Sequence, residues 1–188
     1  MRRFCTLSYV LGLILVVFGL TYLLPIMTSL YFEDGMLVHF VQGMTINIVA
    51  GGALTLSTMM FRGEIKNRDG YLLVAVFWVL MASAATLPLM WGIPGLSFTD
   101  AFFETMSGFT TTGATVLSGL DDLAPSLNLW RHELIWIGGL GIIVLAVAIL
   151  PLLGVGGMQL YKAEIAGPVK DSKLTPRIAE TARLLWLV

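Results

Sequence analysis

Cysteine, histidine and charge are all scarce in this chain. Its one cysteine, Cys5, has no partner for an internal disulfide. The two histidines, His39 and His132, stand alone in the sequence, with no neighbours at metal-ligand spacing and no nucleophile to serve. Charged residues make up only 12% of the 188, against about a quarter in a soluble domain, so water is not the solvent for most of the chain. No basic patch with interleaved aromatics suggests a nucleic-acid partner. No set of residues fits an enzyme active site, and no alternating ten-residue pattern marks a β-barrel.

What the chain has instead is apolar length. Four runs, Leu7 to Leu30, Leu37 to Phe61, Tyr71 to Met90 and Leu134 to Leu153, each approach the ~20 residues that cross a hydrocarbon core. Only a helix satisfies its own backbone in lipid without closing a barrel. The expectation is an all-α integral membrane protein, multi-pass in the lipid bilayer. Arg2 and Arg3 precede the first run in the manner of a signal peptide, but the run is too long for one and no small-residue cleavage site follows. An uncleaved first helix is therefore expected.

Charge gives the orientation. With a cytoplasmic N-terminus, every one of the 11 basic residues except Arg131 falls on the inside, as the positive-inside rule requires. Glu33, Asp34, Asp100, Glu104, Asp121, Asp122 and Glu133 then fall outside. Residues 1–61 read as a transmembrane helical hairpin with an outer turn at Glu33-Asp34-Gly35, followed by the charged cytoplasmic link Arg62 to Gly70.

Between Met90 and Arg131 the sequence is too polar to cross and too apolar for an ordinary loop. "SFTDAFFETMSGF" (Ser97 to Phe109) reads as a short helix, with Thr99 as N-cap, Asp100 at the positive end of the dipole and Gly108 at the stop. It can enter only about half the bilayer, which makes it a candidate re-entrant helix. "TTTGAT" (Thr110 to Thr115) follows. Non-helical backbone at membrane depth must be buried in protein or line a wet cavity. There its carbonyls can replace the hydration shell of a cation, as in potassium-channel filters. Threonines add oxygens without bulk, and Gly113 permits a twist that aims successive carbonyls inward.

Several features have plainer readings. Gly138, Gly139 and Gly141 let a neighbouring backbone approach closely. "GVGG" (Gly154 to Gly157) is a helix exit, since no strand precedes it. Asp100 and Glu104, four apart on one face, read as a pair that concentrates cations at the mouth or as a solvated face. Gln42 and Asn47 are expected to bond between helices. Met158 to Arg177 mixes apolar and basic residues, which suits a membrane surface or a partner.

"DAFFETMSGFTTTGAT" (Asp100 to Thr115), "WRHELIWIGGLGIIVLAVAILPLLGVGGMQLYKAEIAGP" (Trp130 to Pro168) and "KLTPRIAETARLLWLV" (Lys173 to Val188) resemble the Trk/Ktr/HKT superfamily of potassium transporters, and most of all the bacterial Trk membrane subunit. The resemblance implies four membrane-pore-membrane repeats in one polypeptide around a single ion path, behind a leading hairpin. On this chain it implies residues 70–157 as the first repeat, 158–174 as a cytoplasmic connection and 175–188 as the start of a second repeat. It makes Gly113 the filter glycine, and the carbonyls of Thr111 and Thr112, with Thr110 and Gly113 beside them, the ligands of a transported K+; no catalytic cofactor is implied. It also implies a bacterial inner-membrane location and a cytoplasmic nucleotide-binding regulatory subunit as partner, and leaves room for a homodimer of the full-length protein. With only one complete repeat, the chain is expected to be part of a longer transporter. The competing reading is a truncated, non-conducting membrane protein that acts as an assembly or regulatory partner.

Overall fold

The computed structural model describes residues 2–61 and 67–144. Every element among them is helical: α1 (Arg2–Thr21), α2 (Leu23–Phe32), α3 (Leu37–Thr58), α4 (Asn67–Gly92), α5 (Phe98–Phe109) and α6 (Pro125–Val144), with short 3-10 turns at Met59–Phe61 and Leu120–Asp122. Three stretches, Phe4–Phe32, Leu37–Thr58 and Leu72–Gly92, are long and apolar enough to cross a membrane. Of the fourth expected span, 134–153, only residues 134–144 are described, as the second half of α6. Gly154 to Gly157, the 158–174 connection and the 175–188 segment lie outside the described residues.

Two element boundaries differ from the sequence reading. The first apolar run breaks at Tyr22, between α1 and α2. Pro25 is the cause: it has no N–H for the Thr21 carbonyl, and its ring crowds that carbonyl. The charged link is also shorter than expected, because α4 already begins at Asn67.

Small residues bring α1 and α3 together as an antiparallel pair. A Cβ on Gly51 would stand 2.7 Å from the Gly12 carbonyl oxygen, so the two backbones are in direct contact. Asn47 is buried in this seam and donates through Nδ2 to Tyr22 Oη (3.1 Å) and to the Gly43 carbonyl (2.8 Å). It bonds between helices as expected, while Gln42 is exposed. At the far end Glu33 takes a left-handed backbone (φ 52°) and Gly35 another (φ 78°), which reverses the chain.

The α1–α3 pair is joined to the rest by polar repairs. Pro88 lies inside α4 and leaves the Ala84 carbonyl without its helical donor. The Tyr22 hydroxyl supplies a replacement at 2.9 Å, and Trp130 Nε1 donates to the next carbonyl, Ala85, at 3.1 Å. Asp34 serves α6 in the same way. The residue before α6 is Ala124, which has no side-chain acceptor, and Pro125 occupies the first helical position, where its missing N–H costs nothing. The Ser126 N–H donates instead to Asp34 Oδ2 at 2.9 Å, a cap from 92 residues away. Asp34 Oδ1 accepts from Ser29 Oγ and from Met36 N. Burial works against ionising this carboxylate, yet hydrogen bonds from Ser126, Ser29 and Met36 outweigh it and hold its pKa below the ordinary value.

The core lies where these helices meet. Tyr22, Phe40, Phe109 and Trp130 are almost fully buried, and Phe18 joins them. The Tyr22 and Trp130 rings are 4.4 Å apart, and Phe18 sits 5.7 Å from Phe109, the last residue of α5. Aromatic pairs at such spacings add about 0.5–1.5 kcal/mol beyond burial. Phe18 of α1 therefore packs against the end of the short helix.

Candidate functional site

Helix α5 is set by its first turn. Ser97, not Thr99, is the N-cap: its backbone stays extended (φ −73°, ψ 158°) and its Oγ accepts from the Asp100 N–H at 3.1 Å. Thr99 falls inside the first turn, where its own N–H is one of those needing a cap. Twelve residues at 1.5 Å each give about 18 Å, short of a ~30 Å hydrocarbon core. Thr105 fixes the helix to α4 by donating to the Ala82 carbonyl at 2.8 Å. On the other side α6 approaches without side chains between. A Cβ on Gly138 would fall 2.6 Å from the Phe109 carbonyl carbon and 2.8 Å from its Cα. A Cβ on Gly108 would meet Leu134 Cβ at 3.2 Å. The close-approach reading of "IGGLGI" thus holds at Gly138. At Gly139 and Gly141 an added Cβ meets only ordinary contacts, at 3.9 and 3.8 Å.

The loop after α5 folds back along the helix it leaves. Thr110 N donates to the Met106 carbonyl, Thr111 N to Gly108, and Thr112 N and Gly113 N both to Ser107, the last at 3.4 Å. Two adjacent N–H groups converging on one oxygen make a small backbone nest, which needs alternating hand. That alternation is present: Thr110 has φ −79°, Thr111 +56° and Gly113 +74°. Nothing lies within 4 Å of a Cβ placed on Gly113, so glycine is required there by the backbone angle and not by space.

The carbonyl directions follow from peptide geometry. In a trans peptide the N–H of one residue and the C=O of the preceding one point opposite ways, and no cis bond occurs among the described residues. The N–H groups of Thr111, Thr112 and Gly113 point at the end of α5. The carbonyls of Thr110, Thr111 and Thr112 therefore point away from it, into the open. Thr110 through Val116 are all exposed. The Thr110 and Thr112 hydroxyls lie 2.8 Å apart on the same stretch. The carbonyls of Thr110 to Thr112 accept no hydrogen bond among the described residues, and such oxygens in a row form a hard donor set, chemically suited to a cation and unsuited to an anion.

Glu104 is neither a solvated face nor a charge at the mouth; it is only 5% exposed. Its Oε1 accepts from Thr115 Oγ1, Val116 N and Leu117 N, and its Oε2 pairs with Arg131 Nε at 3.2 Å. The reason is burial: a carboxylate cannot leave water without several donors, and the loop and Arg131 provide them. Asp100 is half-buried and accepts from Ser97 Oγ. A signal for the pair was present in the sequence, since a lone basic residue on the outer side calls for an acidic partner. His132 Nδ1 lies 2.7 Å from the Asn128 carbonyl, and His39 lies near Trp91. Among the described residues no cluster of His, Cys, Asp and Glu could hold a metal ion.

Three helices of membrane-spanning length, packed with a short helix and an exposed Thr/Gly loop, place the chain in the class of multi-pass helical membrane proteins. The profile of the TrkH cation transport protein family matches residues 37–188, and the chain belongs to that family. Its relatives include the Trk system potassium uptake protein TrkH of Vibrio parahaemolyticus, 49% identical over 99% of this chain and 39% of the relative. The TrkH protein of Halomonas elongata is 52% identical over 95% of this chain and 37% of its own length. TrkG of Escherichia coli K12 is 40% identical over 96% and 37%. The crystal structure of the potassium transporter TrkH from Vibrio parahaemolyticus superposes with a TM-score of 0.79 at 43% identity, covering 98% of this chain and 36% of that one. These relatives are transport proteins, not enzymes, and the chain spans well under half their length.

Proposed function

We propose that this chain supplies one of four filter loops in a potassium uptake protein of the bacterial inner membrane, with its N-terminus in the cytoplasm. Helices α1 to α3 form the leading hairpin, α4 and α6 are the flanking spans of the first pore repeat, and α5 is its re-entrant helix. Thr111 and Thr112 offer backbone carbonyls to K+, with Thr110 and Gly113 completing the turn. No bond is made or broken; the ion moves down its electrochemical gradient, and selectivity is the difference between two coordination energies. A cytoplasmic nucleotide-binding subunit would regulate the assembly from the side of the 158–174 connection. The observation that carries this reading is the pattern of N–H donation: the end of α5 takes up the amides of Thr111 to Gly113 and leaves three carbonyls facing away from it. The potassium uptake named for the relatives supplies the ion.

Gly113→Ser in the complete transporter tests it. Serine resists a φ of +74° and brings a competing hydroxyl. Preference for potassium over sodium should fall about tenfold, which corresponds to ~1.4 kcal/mol. Ser118→Ala, beyond the turn, should leave the preference unchanged. A Gly113→Ser protein that accumulates normally and discriminates as before would reduce this loop to a simple turn.

A further inference from the structure

One face of α5 addresses the whole loop in order. Gly108 takes the Thr111 amide, Ser107 takes those of Thr112 and Gly113, and Ser107 Oγ donates to the Ala114 carbonyl at 2.7 Å. Glu104, one turn earlier on the same face, takes Thr115, Val116 and Leu117. The chain thus runs back down the helix, and each segment of it is gripped by the next residue of the face.

We propose that Glu104 is a positioning residue for the ion path, holding the outgoing limb Thr115–Leu117 at a fixed depth so that the carbonyls of Thr110 to Thr112 keep their direction. The inference rests on the reading of that stretch as a filter. Apart from Glu104, the α5 side chain that bonds the outgoing limb among the described residues is Ser107, at the Ala114 carbonyl. An ionised carboxylate is an acceptor on both oxygens, which suits it to three loop donors on one side and a guanidinium N–H on the other. Arg131 Nε holds Oε2 at 3.2 Å and so fixes the direction of Oε1.

The test uses the complete transporter carrying these residues, in proteoliposomes, with potassium uptake measured alone and against competing sodium. Glu104→Ala should lower the preference for potassium about tenfold. Glu104→Gln keeps an oxygen that can accept from Thr115, Val116 and Leu117, so it should retain most of the preference. Thr115→Val removes one of the three bonds from an exposed residue and should lower the preference by a smaller factor. A merely structural Glu104 would change yield and melting temperature and leave the ratio alone. An unchanged ratio in a well-accumulated Glu104→Ala protein overturns the proposal. Should that variant fail to accumulate, Thr115→Val decides, and no change there overturns it equally. Gly113→Ser is run alongside. If it alters the ratio while the Glu104 and Thr115 variants do not, the filter stands and the tether falls; if none of them does, both fall.

Discussion

Replacing Gly138 by alanine tests how the end of α5 is held. The new methyl carbon would sit 2.6 Å from the Phe109 carbonyl carbon and 2.8 Å from its Cα. Carbon atoms prefer about 3.5–4.0 Å, so α6 and the end of α5 must separate by roughly 1 Å. The obstacle is backbone and cannot rotate away. Overpacking of this kind costs about 1–3 kcal/mol. The intrinsic helical gain of alanine over glycine, about 0.5–1 kcal/mol, offsets only part of it. Gly139→Ala and Gly141→Ala are internal controls, because their methyls meet Thr111 and Trp78 at 3.9 and 3.8 Å. They should be neutral or slightly stabilising. Thermal unfolding of the complete transporter in detergent reads the stability difference, and potassium-over-sodium uptake reads the displacement of the loop. Gly138→Ala should melt earlier than both controls and discriminate less well. Equal melting temperatures for all three variants would show that α6 does not bear on α5 as described.

Tyr22→Phe removes the donor that Pro88 makes necessary, leaving the Ala84 carbonyl unpartnered and Asn47 Nδ2 with the Gly43 carbonyl alone. The cost should be about 1–3 kcal/mol, seen as a lower melting temperature, whereas Tyr31→Phe at an exposed site should be silent. Asp34→Ala uncaps α6 and should cost about 0.5–2 kcal/mol in the same assay. Because the folded pKa of Asp34 is depressed, its contribution is complete above its unfolded pKa of about 3.9. That contribution is lost as pH falls through the lower folded value. The difference between wild type and Asp34→Ala should therefore be constant from pH 5 to 8 and shrink only under stronger acid.

The parts legible in sequence were those encoded by local pattern. Apolar run length placed the three helical stretches long enough to cross a membrane, and the short helix from Ser97 to Phe109 was legible almost to the residue. The Thr/Gly turn stood out because such residues are out of place in an apolar half. What escaped was pairwise and distant. Nothing around Asp34 announces a helix that starts 91 residues later at Pro125, and nothing around Tyr22 announces Pro88. Glu104 was noticed for its spacing from Asp100, but its partners are an Arg 27 residues away and a loop whose return path only the fold defines. The break at Tyr22 was missed for a different reason. Pro25 is a strong local signal, but a count of apolar residues passes over it.

The order of the elements along the chain places the groups that complete α4 and α6 ahead of both helices. Segments nearer the N-terminus leave the ribosome first and can settle before later ones arrive. The Tyr22 hydroxyl accepts from Asn47, within the earlier helices, and donates to α4, which follows them. Asp34 accepts from Ser29 and Met36 within the same early segment, and from Ser126 of α6, which comes later. The later helices carry the defects, a proline in one and a missing cap in the other, and the earlier pair carries the matching groups. The segment from α1 to α3 thus carries, for two later helices, the donor to the Ala84 carbonyl and the cap at Ser126. A shortened transporter that began at α4 would retain the sequence of the loop and lose the groups that complete its two flanking helices.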